Sequence, residues 1–286
     1  MLVKQSVSSR PSQLLAIAVA MAAVSGSAHA EYAVSYTTIS DFSVSGIGAL
    51  SDFTFSTSVA ATDPGSSQAF VDTLDAASAC VGAACSSFLN SFMAHGASGD
   101  YAYGDALITS DMVLAGSGAA SSIGEVSVVT PGLGFADGTN TLTGFFNLSS
   151  AGSLAFSFNA NPYQSVSSGL ATATSSMSVT ILNLANVEVF SWTPNGDLGT
   201  GIVNGTETSD QNSLNLGIAP GVIYNPGTGF YQASTNSLAA GTYKINLTMN
   251  NHVVAQAVPE AETYAMMLAG LGLVGYSVSR RKRSFN

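Results

Sequence analysis

Few residues in this 286-residue chain have the chemistry of a catalyst. Beyond the first thirty residues the histidines are His95 and His252, and neither has an acidic residue or a cysteine close enough in sequence to suggest a proton relay. The G-x-S-x-G, H-E-x-x-H and G-x-x-x-x-G-K-[ST] motifs are absent. Lys244 falls on the polar face of a predicted strand, which gives a Ser–Lys dyad little support. We therefore predict a body that is not an enzyme and that carries no cofactor.

The acidic residues leave one enzymatic alternative open. A glycosidase requires only two carboxylates about 5 to 9.5 Å apart, which a sequence cannot exclude. The aspartates of the SDF, SGD, ADG and NGD stretches are instead expected to cap turns, with calcium ligation as a second role. Trp192 could form a sugar-stacking platform with Tyr163, Tyr224 or Tyr231, although packing in a core is the role that we expect.

The two cysteines of the chain, Cys80 and Cys85, lie close together in CVGAAC. In an exported chain a close, even pair predicts a disulfide bond, here one that stiffens a local turn. A metal site would require two further ligands, and the nearest histidine is His95. We predict the disulfide, with free thiols and a metal site as the alternatives.

The charges are divided unevenly between the ends and the body. Six of the seven Lys and Arg residues lie near the termini, so that Lys244 is the one basic residue of 31–258, against fifteen of the seventeen acids. A nucleic-acid partner requires Lys and Arg to neutralise its phosphates, and this body is strongly acidic. Nucleic acid is therefore excluded as a partner, and anionic lipid is a poor partner for the body.

The first thirty residues have the organisation of a signal peptide. Lys4 and Arg10 precede the apolar run LLAIAVAMAAV, and SAHA follows it. Ala28 and Ala30 give the A-x-A pattern of a signal peptidase site, which places the mature N-terminus at Glu31. An uncleaved anchor is less well supported because the apolar run is short.

Apolar residues alternate with polar ones along much of the body, which predicts half-buried antiparallel strands. The clearest examples place Leu154, Phe156 and Phe158, then Met177, Val179 and Ile181, then Tyr243, Ile245, Leu247 and Met249 on one face each. Turn-forming residues separate the runs at 137–140, 194–197, 225–229 and 239–242. We predict an all-β fold over 31–257: an antiparallel, jelly-roll-like β-sandwich.

One region lacks this alternation. Residues 63–96 have few β-branched side chains, and Asp63 before Pro64 resembles a helix N-cap followed by a first-turn proline. Phe88 and Phe92 have i, i+4 spacing, as do Leu89 and Met93. We predict a short helical insertion near 63–96, with the cystine loop between two helices.

The C-terminus combines an uncharged run with a basic end. Residues 264–278 carry no charge and are followed by Arg280, Arg281, Lys282 and Arg283. A helix over about 263–279 would span a bilayer if its flanks lie at the interface. Because Lys and Arg stay on the cytoplasmic side, the body would lie outside and the last residues inside.

The order of these features resembles the PEP-CTERM sorting signal of Gram-negative, exopolysaccharide-producing bacteria. Val258, Pro259 and Glu260 match its first element, residues 267–272 match its membrane run, and Arg280–Arg283 match its basic end. Ala261 stands where the family has a second proline. The resemblance implies that 258–286 is a sorting signal, that an exosortase-type protease removes it at the inner membrane, and that the body reaches the cell surface or extracellular matrix.

These observations predict an exported surface or matrix protein. Its uncharged polar surface is compatible with contact to hydrated exopolysaccharide. The alternative is a secreted carbohydrate-active enzyme on the same sandwich. Two carboxylates that face each other across a cleft would favour the enzyme, whereas a flat or aromatic face would favour binding.

Overall fold

The computed structural model describes residues 31–46, 50–63, 65–72, 76–82, 90–97, 99–108, 118–167, 169–258 and 265–275. The chain divides into two compact units, and Ala30–Ala257 is the one that contains the strands. The signal peptide with Ala28 and Ala30 lies outside the described residues. So do Pro259, Glu260 and the basic cluster 280–283, and the predictions about them stay predictions.

The described strands form two antiparallel sheets. Sheet A contains, in spatial order, β12 (Gly205–Asp210), β15 (Gly229–Thr235), β8 (Ala155–Val166), β1 (Glu31–Ser45), β6 (Gly118–Val128), β5 (Tyr101–Ile108) and β4 (Ala76–Gly82), with β14 (Ile223–Tyr224) paired to β8. Sheet B contains β11 (Ile202–Val203), β10 (Glu188–Trp192), β9 (Leu170–Asn183), β16 (Gly241–Ala257), β7 (Gly132–Leu148), β2 (Leu50–Asp63) and β3 (Ser66–Asp72), with β13 (Leu216–Ile218) paired to β9.

The alternation in the sequence correctly identifies the inward faces of these strands. The six residues with the cleanest period, Phe156, Phe158, Val179, Ile181, Ile245 and Leu247, are all buried. They lie on β8, β9 and β16, and the two last strands run side by side, with Ile245 opposite Ile181 and Leu247 opposite Val179. The all-β prediction is confirmed, and the inward faces of both sheets supply the core that a sandwich requires.

The core has a wide half and a narrow half along the strands. The wide half is filled by large side chains, including Trp192, Phe158 and Phe190, all fully buried. Phe158 stacks on Tyr231 at 4.9 Å and packs against Trp192 at 5.5 Å between ring centroids. This half lies under the strands whose alternation is clearest in the sequence.

The narrow half is filled mostly by alanine and valine. Its buried residues include Ala61, Ala102, Ala106, Ala136 and Val253. Because these side chains are small, the two sheets lie close enough for hydrogen bonds between them: Ser35 Oγ on β1 donates to Thr174 O of β9 at 3.1 Å and to Asn251 Oδ1 of β16 at 2.7 Å.

Glycines mark the closest approach of the sheets. A Cβ on Gly138 of β7 would lie 2.3 Å from the carbonyl oxygen of Asp105 and 2.5 Å from that of Ile123, both in sheet A. A Cβ on Gly104 would lie 2.2 Å from the carbonyl oxygen of Asp137 in sheet B. Side chains cannot be accommodated at these positions. Residues 137–140 continue β7 and do not form the predicted turn.

Within the described residues of 63–96, the predicted helical insertion is wrong. Ser66–Asp72 and Ala76–Gly82 are strands β3 and β4, and the described residues 90–97 are not helical. The alanines of β4 mislead a propensity argument because Ala77 and Ala79 are buried in the narrow half, where only small side chains fit. Tertiary context outweighs the weak helical preference of this stretch.

Residues 265–275 form a helix within the range predicted to span a membrane. The rest of 263–279 lies outside the described residues. In the part of the chain that is described, no helix is long and apolar enough to cross a bilayer.

Candidate functional site

The candidate site lies on the outer face of sheet A, the face turned away from sheet B. Odd-numbered residues of β6 and β5 point outward here, and Tyr101, Tyr103 and Ile123 form a small buried cluster with Val34 of β1. Such a face would normally be exposed to solvent. It is covered by the segment 90–97, which places Phe92 against the cluster.

Glu125 is the fully buried acidic residue at the centre of this site. Its Oε1 atom accepts hydrogen bonds from the Tyr32 hydroxyl at 2.5 Å, the His95 backbone amide at 2.7 Å and the Gly96 amide at 3.2 Å. Several donors therefore compensate the loss of hydration that a buried carboxylate suffers. Glu125 holds the covering segment on the sheet.

The tyrosines around Glu125 act as hydrogen-bond donors. Burial, followed by the charge of Glu125, raises the pKa of the Tyr32 and Tyr101 hydroxyls far above its ordinary value. Both hydroxyls therefore keep their protons at any physiological pH. Tyr101 also donates to the backbone oxygen of Gly96 at 2.8 Å, which fixes the end of the covering segment.

His95 connects Glu125 to a serine. Its Nδ1 atom lies 2.5 Å from Glu125 Oε2, and its Nε2 atom lies 3.0 Å from Ser91 Oγ. The ring packs edge-on against Tyr103, with 5.7 Å between centroids. His95 has no acidic residue close in sequence, as noted above; its acidic partner lies 30 residues away and is brought in by the register of β6.

A second buried carboxylate, Asp105 of β5, lies next to this relay. The Tyr103 hydroxyl and the Asn90 amide, the latter at 2.7 Å, both donate to Asp105 Oδ2. Burial raises the pKa of Asp105 and these bonds oppose that effect. Asn90 has a φ of 58°, a left-handed conformation that Asn tolerates better than most residues. The hydrogen bond to Asp105 thus fixes Asn90, the residue before Ser91, on the outer face of sheet A.

The second histidine has a different environment. His252 of β16 lies opposite Asp137 of β7 on the outer face of sheet B, and its Nδ1 atom bonds to Asp137 Oδ1. Its side chain is 38% exposed, compared with 12% for His95. The bond to Asp137 raises the pKa of His252, which burial partly offsets.

Glu207 and Asp210 are two buried carboxylates that interact with each other beside the wide half. Glu207 accepts from Trp192 Nε1 at 2.5 Å and from the Gly199 amide at 2.7 Å. Asp210 Oδ2 accepts from the amides of Asn195 and Gly196. Burial raises the pKa of both acids, and these donors oppose the shift. Their hydrogen bonds to backbone amides hold the loop 193–201.

The aromatic residues proposed for sugar stacking have different positions in the fold. Trp192 and Tyr231 are fully buried and belong to the core, as expected. Tyr163 is partly exposed on the outer face of sheet A and stacks on Tyr36, with 5.0 Å between ring centroids and 16° between ring planes. Tyr36 is the partner that the sequence did not indicate.

Other predicted site residues are located as follows. Glu31 begins β1, and Val258 is exposed directly after β16. Cys80 is partly buried on β4, opposite Tyr103. Cys85 lies outside the described residues, so the disulfide stays a prediction. Among the described residues, no group of three or more His, Cys, Asp or Glu side chains could hold a metal ion.

Of the predicted turn-capping aspartates, Asp100 and Asp137 illustrate opposite outcomes. Asp100 accepts from the amides of Val129 and Thr130 at 2.6 and 3.0 Å, so it caps the turn between β6 and β7. These bonds lower the pKa of Asp100, against a rise from burial. Asp137 instead lies within β7, where it pairs with His252.

Comparison with protein families gives one match, the PEP-CTERM protein-sorting motif at residues 257–283. No curated protein and no solved structure matches the chain. A β-sheet body followed by such a motif defines an exported protein that is sorted through its C-terminus. In particular, the chain carries a PEP-CTERM sorting motif, which confirms the resemblance seen in its sequence.

Proposed function

We propose that the body is delivered to the cell surface or extracellular matrix and associates there with exopolysaccharide. The sorting motif supports the delivery. The observation that carries the association is the Tyr36–Tyr163 stack on the outer face of sheet A. Partly exposed aromatic rings offer an apolar surface to the C–H face of a sugar while their hydroxyls stay hydrated.

The surroundings of the tyrosine pair fit the same ligand. Thr38 lies opposite Asn161 in the next outward positions of β1 and β8, and Phe230 of β15 lies opposite Asn159 and is 38% exposed. A strip of rings with amide and hydroxyl side chains beside them can stack on sugar rings and bond to their hydroxyls. This chemistry does not depend on basic residues, of which the body has one.

We propose a processing sequence for delivery. A signal peptidase cleaves before Glu31, and the predicted transmembrane segment 263–279, with helix 265–275 at its centre, holds the chain transiently in the inner membrane. The basic cluster 280–283 keeps the last residues on the cytoplasmic side. An exosortase-type protease then cuts near the Val258–Glu260 element.

The association can be tested by affinity electrophoresis in gels that contain the purified exopolysaccharide of the producing bacterium. We expect the polymer to retard the wild-type protein. The Tyr36→Ala and Tyr163→Ala variants should bind with about ten-fold lower apparent affinity, because each loses a ring that contributes about 1–1.5 kcal/mol to binding. Tyr224→Ala, which alters a partly buried tyrosine on β14, is the matched control. Equal retardation of all four proteins would exclude the tyrosine pair as the binding site.

The glycosidase alternative receives no support from the buried acidic pair beside the wide half. Glu207 and Asp210 are buried, and their oxygens accept bonds from the indole of Trp192 and from loop amides. A glycosidase pair must face the scissile bond of a substrate in a cleft.

A further inference from the structure

We infer that Ser91, His95 and Glu125 form a nucleophilic relay that hydrolyses esters of small acyl groups through an acyl intermediate on Ser91. The inference departs from the sequence-based prediction of a body without catalytic residues. It stands on the geometry of three side chains from distant parts of the chain: Ser91 and His95 in the covering segment and Glu125 on β6.

The hydrogen bonds define which ring nitrogen of His95 carries the proton. Glu125 as a carboxylate can only accept, so the hydrogen of neutral His95 lies on Nδ1, 2.5 Å from Glu125 Oε2. Nε2 then has a free electron pair and lies 3.0 Å from Ser91 Oγ. This is the arrangement in which a histidine accepts the proton of a serine that attacks a carbonyl carbon.

The carboxylate also fixes the backbone that carries the histidine. Glu125 Oε1 accepts the His95 amide at 2.7 Å and the Gly96 amide at 3.2 Å, while its own position is set by β6 and by the Tyr32 hydroxyl. Glu125 therefore acts as a positioning residue, and Ser91 and His95 are the groups that meet the substrate. Ser91 and His95 are partly exposed, whereas Glu125 is not.

The reaction is a two-step acyl transfer with water as the second reactant. Ser91 Oγ bonds to the acyl carbon as its proton moves to His95 Nε2, and the ester C–O bond breaks as that proton passes to the leaving alcohol. Water then attacks the acyl-serine and gives one proton to His95. The carboxylic acid leaves, and the proton returns to Ser91 Oγ.

The substrate class follows from the site and from its surroundings. The relay lies in a short surface segment with Met93 59% exposed beside it, which suits a small acyl group carried by a larger molecule. Tyr36 lies four residues along β1 from Tyr32, about 13 Å at the rise of an extended strand. An O-acylated polysaccharide bound at the tyrosine pair would extend close to the relay. This choice of substrate rests on the proposed function.

The relay is tested with a fluorophosphonate probe on the mature protein, purified from a host that exports and processes it. We expect the probe to label the wild-type protein at Ser91, and peptide mass spectrometry locates the label. In Ser91→Ala, no other residue should be labelled at a comparable rate. His95→Gln should slow labelling about 100-fold or more, the usual effect of removing a general base. Glu125→Gln should also slow labelling, because it removes the carboxylate that positions His95. No label on Ser91 of the folded wild type would overturn the inference.

Matched variants separate catalysis from structure. Ser58→Ala removes a partly exposed serine of β2, and His252→Gln removes the other histidine–carboxylate pair; both should be labelled at the wild-type rate. Hydrolysis of p-nitrophenyl acetate should show a lower kcat and an unchanged KM for Glu125→Gln. If that variant does not fold by circular dichroism, His95→Gln decides: an unchanged labelling rate would contradict the relay.

The polymer arm distinguishes the two proposals. Tyr36→Ala should release acetate from O-acetylated exopolysaccharide more slowly than the wild type. Labelling of Ser91 without any effect of Tyr36→Ala on acetate release would support the relay and contradict the tyrosine pair. Acetate release by Ser91→Ala at the wild-type rate would overturn the relay.

Discussion

The wide and narrow halves of the β-sheet body fill the space between the two sheets in opposite ways. In the wide half, large rings such as Phe158 and Trp192 fill the space between the sheets. In the narrow half the space itself is almost closed, and glycines such as Gly104 and Gly138 let the two backbones touch. The comparison teaches that a two-layer β fold can replace hydrophobic volume by close backbone approach and buried hydrogen bonds.

The two halves also differ in their polar groups. Buried polar residues of the narrow half link the sheets, as Ser35 does through Asn251, whereas Glu207 and Asp210 in the wide half hold a loop. The relay of Ser91, His95 and Glu125 lies on the outer face beside the narrow half. A sheet whose inner face is pinned by backbone contacts gives such a site a rigid support.

The largest expected effect is a side chain inserted between the sheets of the narrow half. Gly138→Val would place its Cβ about 2.3 Å from a backbone oxygen of sheet A, which cannot move as a side chain does. We expect a loss of more than about 4 kcal/mol in the free energy of unfolding, or no folded protein.

Urea unfolding measures that loss, and Gly152→Val provides the control. No atom outside its own chain neighbours lies within 4 Å of a Cβ at Gly152, so the same substitution there should change stability by about 0.5 kcal/mol or less. Equal, small effects at both positions would contradict the close approach of the sheets.

In the wide half, removing a large side chain should lower the free energy of unfolding. Trp192→Ala removes a fully buried ring and the donor to Glu207, which we expect to lower the free energy of unfolding by about 3–5 kcal/mol. Trp192→Phe keeps most of the volume and should cost clearly less. A loss below about 1 kcal/mol for the alanine variant would show that this half is not held by its rings.

A smaller, pH-dependent effect is expected from Asp210. Burial raises the pKa of Glu207 and Asp210 in the folded state, so folding favours their protonated forms, and stability falls as pH rises from about 4 through the raised values. Asp210→Asn removes one charge and can keep its bonds to the loop amides. We expect it to stabilise the protein by about 1 kcal/mol at pH 7.5.

That gain should be much smaller at pH 3.5, where most of each acid is protonated in both states. Chemical denaturation at the two pH values makes the comparison, with Asp197→Asn, an exposed aspartate of the same loop, as the control. A gain of the same size at both pH values would assign the effect to something other than the buried charge.

The smallest effect concerns His252 and Asp137. The raised pKa of His252 means that their interaction stabilises the fold below about pH 6.5, the unfolded value, and is lost as pH rises through the folded value. Both side chains are partly exposed, so solvent screening should keep the contribution below about 1 kcal/mol. NMR titration of the His252 ring should show a lower pKa in Asp137→Asn than in the wild type; an unchanged pKa would contradict the pairing.

The sequence predicted the wide half far better than the narrow one. Large apolar residues at every second position, such as Phe156 and Phe158, carry an alternation that only a half-buried strand explains. In the narrow half the buried positions hold Ala, Gly and Ser, which carry little apolar signal, so the sequence wrongly predicts a helix at β4 and a turn at 137–140. Small residues are what this half requires.

The two functional regions differ in the same way. The sorting motif is contiguous, so its ordered elements could be recognised directly in residues 258–286. The relay brings together Ser91, His95 and Glu125 through the register of β6 and the path of the covering segment, neither of which a linear pattern contains. The Ser91–His95 spacing of four was visible, but nothing in the sequence indicated that Glu125 would lie beneath them.

The central expectation for this protein is that the C-terminal motif is removed before the body acts at the cell surface. Peptide mass spectrometry of the protein in the surface fraction of the producing bacterium tests this most directly. We predict a mature chain that begins at Glu31 and ends close to Val258–Glu260, without peptides from helix 265–275. Replacing Arg280, Arg281, Lys282 and Arg283 by neutral residues should weaken this processing. Abundant surface-fraction peptides that extend through Ser277 would show that the tail is a permanent anchor and would contradict the account.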